Sequence, residues 1–141
     1  MEEKEQYKEG DIVEEGPYAG FQIISMYTRS QAIADGVLVD VTTYAKSLGI
    51  TLPVAITATL WGYVETDTIA EEAGETTASR LSDLLQMLKV GIRGMADNSD
   101  SLIFDVQFTR CGKLQVVTVK GICGPGDTAA PVITLMMPEE D

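Results

Sequence analysis

Five polar residues in two distant stretches carry the chemistry this chain could do. Tyr27, Arg29, Asp35 and Asp40 lie in Tyr27-Thr-Arg-Ser-Gln-Ala-Ile-Ala-Asp-Gly-Val-Leu-Val-Asp40, and Asp127 ends Gly124-Pro-Gly-Asp127. An arginine among carboxylates suits an anion or small-ligand contact, because a guanidinium presents a fixed fork of donors. Gly124–Asp127 could form a backbone nest for an anion. It lacks the Lys-Ser/Thr of a phosphate loop, and Pro125 removes one donor. Asp127 with Glu139, Glu140 and Asp141 offers the oxygen ligands a hard cation takes, but without the spacing of a calcium loop. Local structure gives a competing account. Thr28 and Asp40 read as helix caps, Asp35-Gly36 as a helix exit, Arg29 as a solvent residue and Gly124–Asp127 as a plain turn.

Other chemistries are closed off by what the chain lacks. There is no histidine among its 141 residues, which removes the commonest general base and metal ligand. Ser-His-Asp and Cys-His mechanisms are excluded, and two cysteines cannot fill a tetrahedral zinc site. Cys111 has Arg110 and Lys113 beside it, neighbours that lower a thiol pKa, but no base or resolving thiol accompanies it. Strand spacing sets Cys111 and Cys123 roughly 35–40 Å apart, against a disulfide limit of about 7 Å. Two free thiols are expected, with no cofactor and no catalytic constellation.

The formal net charge is −12, from 22 acids and 10 bases. Residues 1–15 hold seven acids and two bases, residues 65–75 five acids and no base, and residues 139–141 three acids; the rest of the chain is nearly neutral. Direct nucleic-acid binding is not expected, since phosphate contacts need clustered Lys or Arg. An acidic DNA mimic is an alternative, but it needs carboxylates held on a rigid surface. No apolar run approaches the ~20 residues of a membrane span, and the polar start is unlike a secretory signal. The expected setting is the cytoplasm.

The elements that must position these residues follow from periodicity and punctuation. Residues 1–20 are acidic and interrupted by Gly10, Gly16, Pro17 and Gly20, and read as a flexible leader before one domain over 21–141. A strand is expected at about 21–27. Thr28 and Gln31 have capping-box spacing, opening a helix over Arg29–Asp35 that Gly36 stops. Asp40 would cap a second helix, Val41–Leu48, ended by Gly49, and a third short helix follows Thr57 with Leu60, Trp61 and Val64. Residues near 73 form a polar connector. Leu81, Leu84, Leu85, Leu88, Ile92 and Met95 make one face of a long amphipathic helix over about 76–96. This stripe would cover the sheet, or serve as a face between two copies. Leu102–Phe108 and Leu114–Ile122 read as a hairpin around 110–113, and Pro131–Pro138 as a third strand. The expected class is α+β: short helices and one long helix on a three-stranded antiparallel meander.

Two blocks carry a family resemblance. Tyr27–Asp40, together with Gly124-Pro-Gly-Asp and Pro131-Val-Ile-Thr-Leu-Met-Met-Pro-Glu-Glu-Asp141, resembles a small family of uncharacterised proteins carried by bacteria, phages and plasmids. Leu52-Pro-Val-Ala-Ile-Thr and Trp61 agree with it. The resemblance implies an accessory, mobile-element context and assigns no reaction and no catalytic residue. A non-enzymatic protein that acts by binding a protein partner is the expectation; a histidine-free enzyme or small-ligand binder using Arg29 and carboxylates is the alternative.

Overall fold

The computed structural model describes residues 27–72, 74–95, 99–110 and 113–140. In chain order the elements are α1 (Arg29–Ala34), β1 (Leu38–Asp40), α2 (Thr42–Ser47), β2 (Val54–Thr57), α3 (Ala58–Val64), α4 (Thr68–Glu72), α5 (Thr77–Arg93), β3 (Ser101–Arg110), β4 (Lys113–Pro125) and β5 (Pro131–Met136). The strands form one five-stranded sheet in the order β1-β2-β5-β4-β3. The fold is α+β.

Local signals place most boundaries. Thr28 and Gln31 form the full capping box of α1. Gly36, at φ 80°, supplies the left-handed exit that side-chain-bearing residues avoid. Thr57 and Thr76 cap α3 and α5 through Leu60 N–H and Ser79 N–H. The long helix ends at Arg93, with Gly94 as its C-cap, three residues before the expected limit. Leu81, Leu84, Leu85 and Leu88 are buried together with Leu60, Val64, Ile56, Val106, Phe108, Val119 and Leu135 in one core cluster.

The sheet is larger and more mixed than the expected meander. β3, β4 and β5 do run antiparallel in succession, but β2 pairs in parallel with β5, Val54 against Ile133 and Ile56 against Leu135, and β1 adds on outside it. Val54, Ala55 and Ile56 are all buried. A strand covered on both faces loses the alternation that marks a half-exposed one, so β2 carries no period-two signal. The polar connector contains α4. The expected strand at 21–27 lies outside the described residues except for Tyr27, as do the leader 1–20 and Cys111.

The two faces of the sheet are covered unequally. Even-numbered residues of β3 and odd-numbered residues of β4 face α5, so Val106, Phe108, Val117 and Val119 are buried. On the other face Thr134 and Asp40 lie towards α1, where Ala32 and Ala55 are buried outside the main cluster. α1 covers the β1–β2–β5 side; Ile103, Leu114 and Val116 of the hairpin are left 63%, 66% and 55% exposed.

A buried ion pair ties the helical layer to β3. Arg80 and Glu75 bond to each other at 5% and 8% exposure. The Arg80 guanidinium also donates to the carbonyls of Tyr63, Glu65 and Thr109 at 3.4, 3.3 and 3.2 Å. These carbonyls lie at the end of α3, just after it and in β3. The arginine thereby joins the end of α3 to β3 through charge-assisted bonds to backbone carbonyls.

Candidate functional site

α1 is six residues long, too short to be stable by itself, and its N-terminus shows what holds it. The Thr28 hydroxyl accepts the Gln31 N–H at 3.0 Å. Asp127, 98 residues away, accepts the Arg29 N–H at 2.6 Å through one oxygen and the Ser30 N–H at 2.9 Å through the other. The first three N–H groups of the helix thus meet side-chain oxygens. A carboxylate here also opposes the positive end of the helix dipole.

The Arg29 side chain completes the join. Its guanidinium donates to Thr134 Oγ1 at 2.6 Å and to the Ile133 carbonyl at 2.8 Å. Burial pushes its pKa down, while the Asp40 and Asp127 carboxylates push it back up. Gly126 lets the loop pass closely, since a Cβ there would lie 3.0 Å from Val132 Cγ1 and 3.8 Å from Arg29 Cδ. The backbone of Gly124–Asp127 therefore brings its carboxylate to α1, and Asp127 itself binds two helix amides.

Tyr27 and Asp35 form a separate contact across α1. The Tyr27 hydroxyl donates to Asp35 Oδ2 at 2.8 Å. Asp40 lies one strand away, where its Oδ1 accepts the Thr42 N–H at 3.0 Å and the Thr42 hydroxyl at 2.5 Å. It holds the first turn of α2 from one residue before the cap position, which Val41 occupies. Tyr27, Arg29 and Asp127 share a cavity of about 270 Å³ with Gly126, Val132 and Thr134; Asp35 and Asp40 do not line it. Arg29 is half-buried and bonded to β5, whereas its sequence position alone suggested a solvent residue.

Glu140 of the C-terminal stretch is engaged elsewhere. Glu140 Oε2 accepts the Thr57 hydroxyl and the Met137 N–H, each at 2.8 Å. Asp141 lies outside the described residues. Among the described residues no group of three or more His, Cys, Asp or Glu is gathered closely enough to hold a metal ion.

Sequence reasoning did not single out Thr134, the acceptor for Arg29, nor the outer side of β3. Cys123 N–H donates to the Asp100 carbonyl at 2.8 Å, which fixes the phase of the β3–β4 ladder. Even-numbered residues of β3 exchange their bonds with β4, so Ser101, Ile103, Asp105, Gln107 and Thr109 direct N–H and C=O outward. Among the described residues β3 has no second neighbour. A groove of about 650 Å³ follows this edge, lined by Asp83, Gln86 and Met87 of α5 and by Asp105, Gln107 and Thr109 of β3.

A mixed five-stranded sheet, with the ten-residue β3 at its edge among the described residues and a helix clasped to its other side, defines a small α+β fold. The chain belongs to a family of unknown function, DUF6573, whose model matches residues 15–141. No curated protein and no solved structure matches it. Among the described residues no helix is long and apolar enough to cross a membrane.

Two outcomes follow for the α1 contacts. Asp127→Ala removes the acceptor for two helix amides and should lower stability by about 1–2 kcal/mol, read as a lower urea midpoint with unchanged slope. Asp127→Asn, keeping one acceptor, should lose less. The Tyr27 hydroxyl is held above its ordinary 10.0 by its bond to Asp35 first, with desolvation and the Asp35 charge adding to it. Because the folded pKa is raised, this contact's contribution is present at neutral pH and is lost as pH rises through the folded value. Asp35→Asn should shift one tyrosine titration, followed by absorbance at 295 nm, back towards 10.0.

Proposed function

We propose that this protein is a non-enzymatic, cytoplasmic binding module that takes an extended segment of another protein against the outer edge of β3. The observation that carries this is the edge itself: within this ten-residue strand Ile103, Asp105 and Gln107 direct both N–H and C=O outward, beside a groove of about 650 Å³. Strand addition obtains affinity from main-chain bonds and specificity from alternate side chains. Charge selects the partner. The charged side chains of the groove lining are Asp83 and Asp105, both acidic, so a strand with a basic side chain opposite Asp105 fits. A second copy would set no basic side chain there in the register that places Asp105 opposite Gln107, and it carries a net charge of −12. An accessory role on a mobile element agrees with a small protein that acts by occupying a partner's chain.

Arg29 gives less support to the small-ligand alternative, because both terminal nitrogens of its guanidinium already bond β5.

The test uses an end-blocked eight-residue peptide of alternating valine and lysine, with a valine–glutamate peptide as comparison. The lysine peptide should shift the amide resonances of Ile103, Asp105, Gln107 and Thr109. Gln107→Pro should abolish binding: it removes an outward N–H and none that bonds β4. Equal binding of both peptides, or unchanged binding to Gln107→Pro, would contradict the proposal. Self-association through the same residues without peptide would replace the partner by a second copy.

A further inference from the structure

The apolar stripe of α5 outlasts the core it packs on. Leu81 to Leu88 are buried, but Ile92, next along the same stripe, is 37% exposed, and Met95 is half-buried. Neither belongs to the buried core cluster. Beneath them is a cavity of about 300 Å³ with Leu88, Ile92 and Met95 on one side and Leu52, Leu102 and Ile133 on the other. Ile122 and Cys123 of β4 complete the wall, and the exposed Ser99 sits at the mouth.

Leu102 is held so that it does not fill the space. A Cβ on Gly91 would lie 2.5 Å from one Leu102 methyl, and a Cβ on Gly121 would lie 3.0 Å from the other. The two glycines let Leu102 sit between α5 and β4, with the cavity beside it. The space opens to the surface past Ile92 and Ser99, and its volume is at the lower end of small-molecule sites.

We infer that this cavity binds the aliphatic chain of a small molecule, with the head of the molecule at Ser99. The lining sets the class. Among the described residues it holds no aromatic ring on which a base or planar ring could stack, and no charged side chain to pair with a phosphate or carboxylate inside. Among the described lining residues its polar side chains are the Ser99 hydroxyl, which donates to the Ser101 carbonyl at 2.9 Å, and the free, half-buried Cys123 thiol. A flexible hydrocarbon chain gains from such a wall by burial alone. The inference is independent of strand addition at β3, whose groove has no lining residue in common with this cavity.

Cys123 is a built-in reporter. In the full chain carrying Cys111→Ser it is the single thiol, and its reaction with 5,5′-dithiobis(2-nitrobenzoate) can be timed with increasing decan-1-ol. The expected result is a saturable slowing of about tenfold or more, the size of a 1.4 kcal/mol protection, with a rise in melting temperature over the same concentrations. Ile92→Phe fills the cavity from the helix side and should abolish both effects. Leu52→Phe, from the facing wall, serves if the first variant does not fold. Unchanged thiol reactivity up to the solubility limit of decan-1-ol would overturn the inference, as would equal slowing in the filled variant.

Discussion

The bond from Asp127 to the first turn of α1 is the constraint on which the arrangement of this domain turns. A six-residue helix cannot hold itself, and α1 has a single residue, Ala32, buried beneath it. Its hold on the sheet comes from its end. Asp127 binds two of its amides, and Arg29 reaches past that loop to β5. With α1 in place, one side of the sheet is closed over β1, β2 and β5, and no described element covers the hairpin on that side. The stretches Tyr27–Asp40 and Gly124–Pro138, far apart in sequence, are one physical unit. Each supplies what the other lacks: the first brings unpaired helix amides and a cation, the second a carboxylate, a hydroxyl and a carbonyl that accept them.

This unit also accounts for what could and could not be read in the sequence. The Thr28–Gln31 box and the Gly36 exit were legible because each acts within three or four residues of its own helix. The hairpin and the leucine face of α5 were legible because their periods extend over many residues. β2 was hidden, because a strand buried on both faces shows no alternation. Asp127 was visible as a polar residue in a glycine-rich loop, but its role depends on a helix 98 residues away. No local rule supplies that partner. Arg29 was misread as a solvent residue for the same reason, since its acceptors, Thr134 Oγ1 and the Ile133 carbonyl, come from the last strand. The outer edge of β3 was missed because alternation reveals the faces of a strand and not its place in the sheet.

Two kinds of polar cluster in the domain look alike in sequence and differ in work. Arg80 with Glu75 is buried and ties three carbonyls of the backbone. Arg29 with Asp127 ties a helix end to a strand. In both, the arginine is the hub because its planar fork can meet several oxygens at once. With these groups engaged internally, the proposed partner surface is one built from backbone: the outer edge of β3, bordered by Asp83 and Asp105. The acidity of residues 1–15, 65–75 and 139–141 lies in other parts of the chain.

Residue-resolved amide hydrogen exchange on the whole chain tests the central claim most directly, because it reads the clasp and the open edge in one experiment. The account predicts that the Arg29 and Ser30 amides exchange slowly, together with those of β5. It also predicts that β3 alternates, with Leu102, Phe104, Val106 and Phe108 slow and Ile103, Asp105, Gln107 and Thr109 fast. Fast exchange at Arg29 and Ser30 beside a protected β5, or uniform protection along β3, would contradict it.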